Sequence, residues 1–151
     1  PVEMMLKHLG DSQQIIATHP LFGPDSVENF GIVGQKIVVH NVRTSEHVMK
    51  MFKELLEKIQ LTIIHATPEE HDRQMANSQA LVHFIGRALG PLGLQEQEIS
   101  TPDYNTLLKM NTMVNNDTWE LFCDMQQYNR YAKELRTAFI AELNTLENKV
   151  A

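Results

Sequence analysis

Residues 61–89, LTIIHATPEEHDRQMANSQALVHFIGRAL, change character in the middle. Leu61 to Ala66 is a short apolar run rich in β-branched residues, the pattern of a strand. From Thr67 the pattern is that of a helix. Thr67 can cap, Pro68 suits a first turn because the N–H it lacks would have no partner there, and Glu70 can return the capping-box bond. The helix is expected to run to about Leu89, where Gly90, Pro91 and Gly93 stop it. The chain should therefore divide into an α/β part, residues 1–66, and an all-helical part, residues 67–151.

Upstream, Gln14 to Thr18 (QIIAT) and Lys36 to Val42 (KIVVHNV) also read as strands. Between the second and third runs, Val48, Met51, Phe52, Leu55, Leu56 and Ile59 share one helical face, with Ser45 placed as N-cap. The first part is then a mixed α/β fragment of about three strands and one helix. Downstream, Thr101 and Pro102 repeat the capped-proline start and predict a helix to about Val114. Asp117 with Glu120 opens a long C-terminal helix on which Leu121, Met125, Tyr128, Ala132, Leu135, Phe139, Leu146 and Val150 mostly alternate by four and three, lapsing near Glu142. A stripe about 30 residues long exceeds what a small bundle covers, so a homodimer through the helical part is expected; the other reading packs that helix inside its own monomer.

The composition narrows the partners. With 151 residues, 42% of them apolar, the chain can bury a core. A formal charge of -6 with scattered lysines and arginines offers no stripe for a phosphate backbone, so nucleic acid is not expected. No apolar run approaches the roughly 20 residues of a membrane span, which argues against a membrane partner. The single cysteine, Cys123, and the lack of a basic-then-apolar leader point to the cytoplasm. The start at Pro1 without Met suggests a processed protein or a piece of a longer one. The eight methionines spread over several faces and read as core filler, and Trp119 and Phe122 as core or interface anchors.

ATHPLFGPDS, residues 17–26, puts a histidine at the end of a predicted strand, where open α/β sheets bind ligands. Pro20 holds His19 in extended conformations and Pro24 does the same to Gly23, so the bend is stiff, as a positioned imidazole requires. Further on, His71 and His83 are twelve residues apart, roughly 18 Å along a helix, so they cannot share a ligand and no metal pair forms. Gln79 and His83 lie one turn apart and could both reach a bound acid. His71, beside Glu69, Glu70 and Asp72, is explained by capping and solvation, and Ser78, on the face of His71, by helix contact. Tyr104 reads as a helix-start packing residue.

THPLFGPDS, then EEHDRQMANSQALVHFIGRAL, then STPDYNTLLKM, in that order, resemble the prephenate and arogenate dehydrogenase family of tyrosine biosynthesis, and NNDTWELFCDMQQYNRYAKE is similar to its arogenate branch. The resemblance covers nearly the whole chain. It implies that residues 1–66 are the remainder of a Rossmann-type nucleotide-binding domain and that residues 67–151 form a helical substrate-binding and dimerisation domain. Family enzymes oxidise a ring alcohol by passing hydride to NAD or NADP, with loss of the ring carboxylate as carbon dioxide. By its motif His19 matches the catalytic histidine, which accepts the hydroxyl proton. His83 matches a substrate-facing residue, with Gln79, Ser78 and Arg87 beside it, and the Pro20 and Gly23 loop would lie near the nicotinamide. The main cofactor site is expected outside this chain: the GxGxxG fingerprint is missing, and GIVGQK, with Gly31 and Gly34, has the wrong spacing and follows no strand. One departure concerns the substrate carboxylate. Many bacterial members place an arginine after the tyrosine of the third block, where Asn105 stands here, leaving Arg73, Arg87 and Lys109 as candidate cations. Prephenate and arogenate both stay open. The alternative class is a non-catalytic helical dimerisation or aromatic-acid-sensing module. A chorismate-binding mutase is disfavoured, because residues 67–99 offer only Arg73 and Arg87 to hold two carboxylates.

Overall fold

A computed structural model describes residues 1–151, apart from the side chain of Asp25. It contains two compact units, Pro1–His71 and Asp72–Ala151. As expected, a small three-stranded sheet is followed by a mostly helical region.

In the first unit, helix α1 (Val2–His8) leads to strand β1 (Ile15–Pro20), helix α2 (Pro24–Phe30), strand β2 (Lys36–Arg43), helix α3 (Glu46–Lys58) and strand β3 (Thr62–His65). The sheet order is β1-β2-β3, with β1 antiparallel to β2 and β2 parallel to β3. Alternation puts Ile37, Val39 and Ile63 on one face, where they pack with Met49, Phe52 and Leu56 of α3. Ser45 caps α3 as expected, accepting from the Val48 N–H at 3.3 Å.

Two expectations for this unit need correction. Pro24 does not stiffen a loop; it starts α2, with Gly23 as its extended N-cap at φ -112°, ψ -177°. The rule that ligands gather beyond the carboxyl ends of parallel strands does not locate His19 either. Because β1 runs antiparallel, its end pairs with the beginning of β2, Pro20 opposite Ile37. The short helix α1 went unannounced because it buries no residue and so carries no apolar stripe.

The helix expected from Thr67 to Leu89 is present in segments: α4 (Pro68–Met75), a π-helical turn (Ala76–Ala80) and α5 (Leu81–Leu89), ended by a tight turn over Gly90–Leu92. Helix α6 (Pro102–Asn116) is capped by Thr101, which accepts from the Tyr104 N–H at 3.3 Å. Helices α7 (Trp119–Tyr128) and α8 (Ala132–Val150) follow. No described helix is long and apolar enough to cross a membrane.

The single long C-terminal helix is therefore two. Thr118, not Asp117, caps α7, accepting from the Leu121 N–H at 3.1 Å. The chain leaves the helix at Asn129, φ -84°, ψ 106°. The Asn129 side chain holds the break: its amide donates to the Asp72 carbonyl at 2.7 Å and its oxygen accepts from the Tyr131 N–H at 3.0 Å. The apolar stripe is cut with it. Phe122 and Ala132 are buried, while Leu121, Tyr128, Leu146 and Val150 are exposed and Trp119 rests on Phe122 with ring centres 5.0 Å apart.

Helices α5 and α6 cross at Gly86. A Cβ there would come within 2.2 Å of the Val114 Cγ2, and Val114 is itself only 4% exposed. Gly86→Ala should lower the thermal unfolding midpoint, at a cost of about 1–3 kcal/mol for overpacking. Gly86→Ala with Val114→Ala should recover much of that loss, and calorimetry of the three variants checks it.

Candidate functional site

His19 sits in β1 opposite Val38, and Ala17 opposite His40. Since Ile37 and Val39 point to the α3 core, the period-two pleat turns Val38, His40 and His19 to the other face of the sheet. Two residues after β3 the chain enters α4 through a reciprocal cap. The Glu70 carboxylate accepts from both the N–H and the hydroxyl of Thr67 at 2.8 Å, and the Thr67 hydroxyl accepts from the Glu70 N–H at 3.2 Å. These bonds hold the exposed Glu70 carboxyl below its ordinary pKa, with His40 adding to the effect. His71 stands in the same first turn, its N–H on the Thr67 carbonyl at 2.9 Å.

That placement brings two histidines together across 52 residues of sequence. His19 Nδ1 and His71 Nε2 are 2.7 Å apart, with ring centres at 5.0 Å and planes inclined by 70°. Half-burial pushes the His19 pKa below its ordinary value, and His71 pushes it in the same direction. That direction favours the uncharged form of the His19 ring. His71 was expected to be a capping and solvation residue; its ring lies instead against His19. Its position in EEHD, one turn into a helix that follows a strand, was the available signal, but nothing local ties residue 71 to residue 19.

The other expected site residues lie in the second unit. His83 is 7% exposed, with Nε2 3.6 Å from Asp117 Oδ2 and Nδ1 buried without a partner among the described residues. Burial lowers its pKa, with Arg87 adding to that direction and Asp117 opposing it. Arg87 donates to the Asp117 carbonyl and lies 5.7 Å from the ring centres of both Trp119 and Phe122. It borders a cavity of about 580 Å³ that Asn111, Asn115 and Trp119 also line. So His83 and Arg87 come together around Asp117. Gln79 is half-buried, whereas Ser78 is exposed and its hydroxyl donates to the Gln74 carbonyl at 2.8 Å. Of the other candidate cations, Arg73 stacks 4.7 Å from the centre of the Tyr131 ring and Lys109 is exposed. The Tyr104 hydroxyl donates to the Gln95 carbonyl at 2.7 Å, consistent with a packing role at the start of α6.

Gly31 and Gly34 make turns. Gly31, at φ 75°, ends α2, and Gly34, at φ 78°, leads into β2, so neither follows a strand as a pyrophosphate-binding glycine does. Among the described residues no cluster of three or more His, Cys, Asp or Glu side chains is placed to hold a metal ion.

Comparison with known proteins agrees with this architecture. Residues 88–151 match the family described as TYRAAT1-like, C-terminal domain. Two Arabidopsis thaliana proteins are similar: "Arogenate dehydrogenase 2, chloroplastic" is 29% identical over 138 residues, covering 89% of this chain and 38% of that protein. "Arogenate dehydrogenase 1, chloroplastic" is 30% identical over 138 residues, covering 87% of this chain and 22% of that protein. Among solved structures, the prephenate dehydrogenase from A. aeolicus in complex with hydroxyphenyl propionate and NAD+ superposes with a TM-score of 0.64 at 20% identity, covering 89% of this chain and 51% of that one. The chain thus spans between about a fifth and about half the length of these proteins. In sequence the chain is similar to arogenate dehydrogenases and in fold to a prephenate dehydrogenase, over 87–89% of its length, and residues 88–151 match a family domain described as C-terminal.

Proposed function

We propose that this chain supplies the proton acceptor and the substrate-holding part of a dehydrogenase acting on arogenate or prephenate. The observation that carries this reading is the half-buried His19 ring, whose Nδ1 lies 2.7 Å from His71 Nε2. The names of the relatives support the substrate class. Both acids are cyclohexadienols with a ring carboxylate, and oxidation of the ring alcohol with loss of that carboxylate leaves an aromatic product.

A nicotinamide dinucleotide, NAD or NADP, supplies the hydride acceptor when bound. The described residues lack a glycine-rich turn after a strand, so they do not form a cradle for its phosphates; the chain's contribution at that end is the loop after His19, with Pro20 and Gly23. The chain's own residues serve the other half of the reaction. As the ring C–H electrons depart, the hydroxyl proton must leave with them, and His19 receives it at the nitrogen that His71 does not engage. Within the helical unit, Arg87, stacked by Trp119 and Phe122 and next to His83, is the cation suited to a carboxylate. With Asn105 in the place of the bacterial arginine, either acid fits this assignment. The homodimer expected from the helical part belongs to the same proposal, supported by Ile140, Leu143 and Leu146 standing 46–56% exposed on α8.

His19→Asn in the full-length enzyme should lower kcat by about 10² to 10⁴-fold, the usual contribution of a general base, with KM little changed. Near-normal turnover would remove His19 from the chemistry. No turnover by the unaltered protein with either acid and either dinucleotide, together with saturable binding of tyrosine, would favour the sensing module instead.

The pH dependence has a definite sign. The base must be uncharged, and the His19 pKa is depressed by burial and by His71, so activity should persist as the pH falls through the ordinary imidazole value of about 6.5 and drop only below it. His40, Glu70 and His71 are the titratable groups of this unit near that face. A pH–rate profile of kcat/KM with its acid limb above that value would contradict the arrangement.

A further inference from the structure

We propose that His71 is a positioning residue that accepts a hydrogen bond from His19 Nδ1 and thereby fixes the tautomer in which His19 Nε2 is the base. The inference rests on the reading of His19 as proton acceptor and names the device that prepares it.

The argument starts from the distance. At 2.7 Å two ring nitrogens cannot face each other with two lone pairs, so a single hydrogen lies between Nδ1 of His19 and Nε2 of His71. It belongs to one ring or the other. If His71 donates, His19 keeps a lone pair only at the nitrogen already covered, and its Nε2 carries a hydrogen that blocks proton transfer. If His19 donates, its Nε2 has the lone pair and points away from the contact. Only the second arrangement makes a general base.

The surroundings set up His71 as a stationary acceptor. Its backbone is anchored in the first helical turn by the bond to the Thr67 carbonyl, beneath the Thr67–Glu70 cap. His19 is fixed from the other side by its β1–β2 pairing and by the following Pro20. Neither backbone has to reorganise for the rings to meet, which is the preorganisation a base-orienting pair needs. The proton balance is simple. The substrate O–H bond breaks, the proton goes to His19 Nε2, and the Nδ1–H bond to His71 stays in place and becomes charge-assisted. His71 therefore does in this pair what a buried carboxylate does for the histidine of a hydrolase triad, with a ring nitrogen in place of a carboxylate oxygen.

A carboxylate at this position would stabilise a charged His19 more strongly than a ring nitrogen does. Replacing His71 by an acceptor-only carboxylate, His71→Glu, preserves the tautomer but favours the imidazolium, so the acid limb of the pH–rate profile should move to higher pH while kcat at the optimum is largely kept. His71→Leu removes the acceptor. In the full-length enzyme it should lower kcat on the order of 10- to 100-fold, as loss of an orienting hydrogen bond typically does, with KM nearly unchanged.

The decisive measurement does not depend on activity. In ¹⁵N-histidine-labelled chain, long-range ¹H–¹⁵N spectra should show His19 with a protonated Nδ1 and an unprotonated Nε2, and His71→Leu should abolish that preference. A His19 ring protonated at Nε2 in the unaltered chain, or one whose tautomer and turnover ignore His71→Leu, would overturn the proposal. Should His19→Asn leave turnover intact while the tautomer follows His71, the catalytic reading fails and the positioning one stands. Circular dichroism of each variant separates these outcomes from unfolding.

Discussion

The first turn of α4 is the constraint from which the candidate site follows. Thr67 and Glu70 satisfy each other's backbone donors, Pro68 occupies a position that needs no donor, and the helix consequently begins only two residues beyond β3. A helix that started a residue earlier or later would turn position 71 by about 100° around its axis. The imidazole would then leave its contact with His19. A polar cap lying wholly on the surface thus decides the geometry of a pair that is partly withdrawn from water, and the same Thr67 bonds hold the Glu70 carboxyl below its ordinary pKa.

The elements whose periodicity is local were legible. The strands near 15–20, 36–43 and 62–65, the Ser45, Thr67 and Thr101 caps, and the stop at Gly90 all rest on side chains that act within a few residues of themselves. What escaped depends on contacts far apart in the chain. The break at Asn129 is made by a bond to Asp72, 57 residues away, and no pattern around NNDTWELFCDMQQYNRYAKE reveals that partner. Helix α2 was hidden because Pro24 reads equally well as a stiff bend or as a first helical residue. The place of His19 at the end of a strand was legible, whereas its contact with His71 was not, since only the fold brings residue 71 to it.

The second unit shows how polar groups can be buried without being orphaned. Gln126, 6% exposed, donates to the Ala80 carbonyl at 2.7 Å and accepts from Arg136 at 2.7 Å, so one side chain joins the π turn, α7 and α8. His83 and Arg87 are served less completely, each leaving one buried nitrogen without a described partner. Such groups cost stability unless something else meets them, and Arg87 borders the cavity that Trp119 also lines.

The π turn at Ala76–Ala80 amounts to one surplus residue carried inside an otherwise regular helix. Upstream of it Asp72 and Arg73 are pinned, by Asn129 and by the Tyr131 ring; downstream of it Gly86 must meet Val114. Trimming a single amino acid from the bulge would straighten the rod and swing Gly86 out of its crossing by roughly a quarter-turn. This stretch of the gene should therefore accept exchanges of one residue for another far more readily than any change in length, and lineages that share the fold should keep the same count of residues between positions 72 and 86.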